Sequence, residues 1–97
     1  MFKLIAPRPT FAQDMTEAER KVMREHVVYW KGLADRGVAV VFGPVLDPKG
    51  VWGVAVVEVS DEAEARALVP NNPVFKAHLG QIEVYPMSSG TIVRKLS

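Results

Sequence analysis

His26 is the residue in this chain best placed to move a proton. It shares a helical stripe with Val22, Trp30 and Leu33, at spacings of three or four residues. Its side chain is therefore directed at whatever that helix packs against. An imidazole held there loses water, which favours its neutral form, and a neutral imidazole can accept a proton at about pH 7. The competing reading is a core histidine whose nitrogens are satisfied by backbone groups.

The remaining polar residues carry weaker signals. His78 has no acidic neighbour and no partner at metal-ligand spacing, so it reads as a surface or loop histidine. With two histidines far apart and no cysteine, no metal site is expected, and neither thiolate chemistry nor a disulfide is available. Arg8 lies in a loop just after the first strand, where its planar fork could grip an anionic substrate group. An exposed loop arginine would need no such explanation. Asp35 near a helix end and Asp47 in a turn need no functional one. Trp30, Phe42, Trp52 and Tyr85 could line an aromatic pocket or simply fill a core. Gly32, Gly37, Gly43 and Gly50 form no phosphate-binding pattern.

Several function classes are disfavoured by composition. The chain has 97 residues, 48% of them hydrophobic, with 12 Lys+Arg against 11 Asp+Glu. That is one foldable domain, read as spanning residues 1–97, with no electrostatic footprint for nucleic acid. The first apolar run stops at Pro7, too short for a signal peptide or a membrane span, so the cytoplasm is the expected compartment.

The elements that must position His26 can be read in order. Residues 2–6 alternate as a strand, and residues 7–15 form a loop. Thr16 and Glu19 have capping-box spacing, and the helical pattern then runs to Arg36, with Gly37 as its stop. Residues 38–42 are β-branched and apolar, a strand broken by Gly43-Pro44. Residues 47–50 have turn chemistry, and 51–59 make the returning strand of a hairpin. Ser60 is expected to cap a second helix running to about Val69. Asn71-Asn72-Pro73 reads as a turn, 74–79 as a short helical segment, 81–85 as a strand and 91–96 as an extra C-terminal strand. Strand, helix, strand, strand, helix, strand is the α+β ferredoxin-like plan βαββαβ, a four-stranded antiparallel sheet with two helices on one face. Two helices cover one face only, yet the strands at 38–42 and 54–57 do not alternate. Their second face is expected to be buried against another copy, making a homodimer through the sheet.

Taken together, several stretches resemble the YCII-related (YciI-like) family. They are Leu4-Ile5 with Arg8-Pro9, Glu25-His26, Gly37-Val38, Gly43-Pro44-Val45-Leu46-Asp47, residues 62–69 (EAEARALV), and Asn72-Pro73-Val74-Phe75 through Pro86. The resemblance implies a dimeric ferredoxin-like α+β barrel protein with a catalytic histidine on the first helix, matched by His26. It also implies a partner aspartate before a proline, a position that Asn72 holds in this chain. Asparagine can hydrogen-bond but brings no charge. Arg8, Trp30, Gly43 and Pro44 are the expected substrate-binding residues. The implied function is cofactor-free proton transfer by His26 on a small organic, cyclic or aromatic substrate, of isomerase or lyase type. The alternative is a dimer that binds or senses a small metabolite without chemistry, and a third reading is a structural dimer with no ligand. Neither nucleic acid nor membrane is an expected partner.

Overall fold

Thr16 starts the longest element. Its side-chain oxygen accepts from the Glu19 backbone N–H at 3.1 Å, and the Glu19 carboxylate accepts from the Thr16 N–H at 2.9 Å. This reciprocal pair satisfies two donors that the first helical turn leaves without partners. The helix, α2, runs Glu17–Asp35. It ends where Gly37 takes φ 76°, a left-handed conformation that costs glycine nothing. The Val38 N–H then donates to the Leu33 carbonyl and the Gly37 N–H to the Ala34 carbonyl, the paired closure of a Schellman cap. The capping residues at both ends agree with the sequence expectation.

The computed structural model describes residues 1–88 of the chain. Four strands, β1 (Phe2–Ile5), β2 (Ala39–Val45), β3 (Trp52–Val57) and β4 (Gln81–Val84), form one antiparallel sheet in the order β2-β3-β1-β4. This is the ferredoxin-like α+β arrangement expected from the element order. The short helices are α1 (Phe11–Asp14), α3 (Glu62–Arg66) and α4 (Pro73–Lys76). The strand expected at 91–96 lies outside the described residues. No helix among the described residues is long and apolar enough to cross a membrane.

Three expectations are corrected. First, β2 does not break at Gly43-Pro44 but continues to Val45, with Pro44 opposite Gly53. β2 is an edge strand, where a residue with no N–H to offer is tolerated. Second, the helix expected over residues 61–69 is helical only over Glu62–Arg66, and its cap is Asp61, not Ser60. Asp61 accepts from the Glu64 N–H at 2.8 Å. Third, the turn at 71–73 is the start of α4: Asn72 caps it and Pro73 opens it, the position where proline's missing N–H costs least.

The core lies between α2 and one face of the sheet. Leu33 is 1% exposed and Trp30 3%, packed with Phe2, Ala39, Ala55 and Ala65. The Trp30 ring meets Phe2 edge-on at 5.2 Å and stacks near Phe42 at 6.4 Å. Tyr29 ties α2 to the segment after α3 through its hydroxyl, which donates to the Leu68 carbonyl at 2.6 Å. Strand pairing sorts the residues between the two faces. Phe2, Leu4, Phe42, Pro44, Gly53, Ala55, Ile82 and Val84 share the helix-covered face, and Lys3, Ile5, Val41, Val45, Trp52, Val54, Val56 and Glu83 share the other.

Leu33 touches the core from the last turn of α2 and is 1% exposed, so Leu33→Ala should open a cavity. A loss of about 2–5 kcal/mol is expected, read in urea as a lower midpoint at unchanged m-value.

Candidate functional site

The sheet floor is hollowed by two small residues. The helix-facing positions of β3 are Gly53 and Ala55, between Leu4 and Phe2 on β1 and Pro44 and Phe42 on β2. A methyl group on residue 53 would sit 3.3 Å from the Leu4 Cβ, so this strand glycine marks a close approach as well as missing bulk. Above this floor lies a cavity of about 480 Å³, within the size range of small-molecule sites. α2 supplies Met23, His26, Val27 and Trp30; the segment before α2 supplies Pro7, Phe11, Ala12 and Met15; Asn72 and Leu79 come from either side of α4. Among the described residues no charged side chain lines it. The polar side chains that the described residues turn toward it are the His26 imidazole, the Asn72 amide and the Trp30 indole.

Asn72 is 3% exposed. Its Oδ1 accepts from the Val74 backbone N–H at 3.0 Å and lies 3.0 Å from His26 Nδ1. A backbone N–H can only donate, so the Val74 contact fixes which end of the amide faces this way. The oxygen can only accept, so His26 Nδ1 must carry the hydrogen. In the neutral ring Nε2 is then left with its lone pair, as a base requires. Burial pushes the His26 pKa below its ordinary value, and the Asn72 bond offsets part of that shift.

Of the residues expected at the site, His26, Asn72, Trp30, Gly43 and Pro44 all line this cavity. Trp30 serves it and the core at once, its ring edge-on to His26 at 6.4 Å. Arg8 does not line it. Its guanidinium donates to Asp14 and to both oxygens of Glu19, at 2.8–2.9 Å for the carboxylate bonds, and these partners hold its pKa above the ordinary arginine value. Of the aromatics expected around a pocket, Tyr85 stands apart: it is 47% exposed and its hydroxyl donates to Glu83. Trp52 borders the cavity through its place in β3, but its side chain lies on the opposite sheet face, where its indole N–H donates to Asp47. His78 is exposed in a left-handed turn conformation. Among the described residues no three His, Asp or Glu side chains gather as metal ligands.

Sequence reasoning missed the wall formed by Phe11 and Met15 and the floor at Gly53. Two signals could have found them. Phe11 is an apolar residue in a polar loop, and Gly53 interrupts a strand that is mostly valine.

The His26 imidazole should titrate in an NMR experiment below the ordinary histidine value. Asn72→Asp retains the α4 cap and places a negative charge against Nδ1, so the midpoint should rise. An unchanged midpoint would remove Asn72 from the site. The same depression has a consequence for stability. The unfolded chain takes up its proton first as pH falls. The stability carried by neutral His26 is therefore whole above about pH 6.5 and drains away as pH drops toward the folded-state value.

Comparison with known proteins agrees with this architecture. Among curated proteins none matches the chain. A solved structure of 5-chloro-2-hydroxyhydroquinone dehydrochlorinase (TftG) from Burkholderia phenoliruptrix AC1100, in complex with 2,5-dihydroxybenzoquinone, has a similar fold. The TM-score is 0.57 at 20% sequence identity, covering 88% of this chain and 91% of that one. A family model for the YCII-related domain matches residues 3–89, and the chain belongs to that family.

Proposed function

We propose that this protein is a small-molecule enzyme in which neutral His26 transfers a proton on a cyclic or aromatic substrate, with isomerase or lyase chemistry. The supporting observation is the locked tautomer: Asn72 holds the hydrogen on Nδ1, and the ring that carries the free Nε2 lines an apolar cavity. Nε2 would take a proton from an acidic O–H or C–H of the substrate, leaving an enolate or phenolate and an imidazolium. Returning the proton to another carbon completes an isomerisation. Expelling a leaving group with its electron pair completes an elimination. The lining suits an uncharged ring, since among the described residues it offers no cation to a carboxylate. The similar dehydrochlorinase acts on a chlorinated hydroxyhydroquinone, which makes hydroxylated and halogenated hydroquinones the first substrates to try.

The binding-only alternative rests on Asn72. Proton transfer makes an imidazolium, and an amide gives that charge less support than a carboxylate would. Incubation with a hydroquinone panel, followed by halide release and by deuterium incorporation from solvent, separates the readings. Enzymatic turnover should fall by about 100-fold or more in His26→Ala. Ligand binding that needs His26 without any turnover would favour the alternative, and binding indifferent to His26→Ala would sink both.

The working unit is proposed to be a homodimer through the sheet face that the described helices leave open. That face carries Ile5, Val41, Val45, Trp52, Val54 and Val56, with Val41 53% exposed. An apolar surface of this kind favours burial against a second copy. Sedimentation at tens of micromolar, within the range of specific association, should give the dimer mass, and Val41→Asp should give the monomer. A wild-type monomer under those conditions would end the proposal.

A further inference from the structure

The segment 7–15 has two sides with different chemistry. One side gives Pro7, Phe11, Ala12 and Met15 to the cavity, and Phe11 is 7% exposed although its helix α1 has a single turn. Among the described residues the segment takes part in no strand pairing, and so short a helix does not hold itself together in water. The other side is an ion cluster. Arg8 Nε donates to Asp14 Oδ1 at 2.8 Å and Nη2 to the Asp14 carbonyl at 3.0 Å; Nη1 and Nη2 donate to the two Glu19 oxygens at 2.9 and 2.8 Å. The Thr10 hydroxyl donates to the other Asp14 oxygen at 2.6 Å. The Arg8 guanidinium also lies 5.3 Å from the Phe11 ring centre. Glu19 is at the same time the capping residue that closes the start of α2. The cluster therefore binds the segment's first charged residue, its last turn and the root of the His26 helix into one unit.

We infer that Arg8 is a positioning residue: its fork fastens segment 7–15 to the base of α2 as the wall of the His26 cavity, and it keeps that cavity dry. The arginine that sequence position offers as an anion receptor is spent on this fastening. Isolated surface ion pairs contribute little, but a bidentate guanidinium–carboxylate pair joined to a second carboxylate and to a backbone carbonyl has the geometry in which such contacts count. Lysine cannot reproduce it, because a single ammonium has no planar fork. The inference holds whether the cavity turns its ligand over or only binds it.

His26 provides the readout. Its pKa is shifted by burial and by Asn72, with no charged side chain on the cavity lining among the described residues, so it reports water entering past the wall. Two variants pull in opposite electrostatic directions. Arg8→Gln removes a positive charge, and the double variant Asp14→Asn, Glu19→Gln removes two negative ones while glutamine keeps the capping box of α2. If charge alone mattered, the first would raise the His26 midpoint and the second would lower it. If the cluster holds the wall, both let water reach the ring, and both midpoints rise toward the ordinary histidine value. Arg8→Lys, which retains the charge, should behave like Arg8→Gln. NMR titration of the His26 ring in whichever of these variants remains folded by circular dichroism decides the matter. An upward shift in both the arginine and the carboxylate variants supports the inference. An unchanged midpoint, opposite shifts, or wild-type behaviour in Arg8→Lys overturns it.

Discussion

One oxygen atom organises the site. Asn72 Oδ1 accepts two hydrogen bonds, one from the backbone of α4 and one from the imidazole on α2. The first bond belongs to folding, since it caps a four-residue helix that has little cooperativity of its own. The second belongs to chemistry, since it decides which nitrogen of His26 holds the hydrogen. Joining the two at one atom means the tautomer is set by the same event that docks α4 against α2. A side chain that only capped, such as serine, would be too short to do both. Aspartate would do both and add a charge. Asparagine does both and leaves the imidazole neutral in a neutral setting.

The rest of the structure is arranged around keeping that pair in place over an empty space. Trp30 anchors α2 to the sheet through Phe2 and Phe42, and Tyr29 anchors it to the segment after α3. One turn earlier, the same helix face carries His26 over the hollow left by Gly53 and Ala55. The helix is therefore held firmly on one side of the cavity and bridges it on the other. The chain belongs to the YCII-related family, and its fold is shared with a dehydrochlorinase.

Much of this was legible in the sequence, for identifiable reasons. α2 could be read because its two ends carry local chemistry, a Thr16–Glu19 box and a Gly37 stop, and because its stripe repeats over nineteen residues. His26 could be read because that stripe is regular. The extent of β2 could not, since the tolerance of Pro44 depends on the strand lying at a sheet edge, a fact of topology and not of local pattern. The double role of Asn72 was half legible: the resemblance pointed to the position, but Asn-Pro reads equally well as a turn or as a helix start. The role of Arg8 was hidden altogether. Its partners Asp14 and Glu19 are six and eleven residues away, and nothing in their spacing distinguishes an internal fastening from a free cation waiting for a ligand.

Gly53 and Ala55 carry a further consequence. A chain of this size buries its core with little to spare, and an apolar hollow forfeits the dispersion contacts that larger side chains would make there. The void beneath His26 is thus a standing debt against the domain's own cohesion. Drift toward bulkier residues on β3 would make the protein hardier and blinder at once, trading receptivity for solidity. Two of the smallest residues on the middle of β3 set this molecule on the receptive side of that exchange.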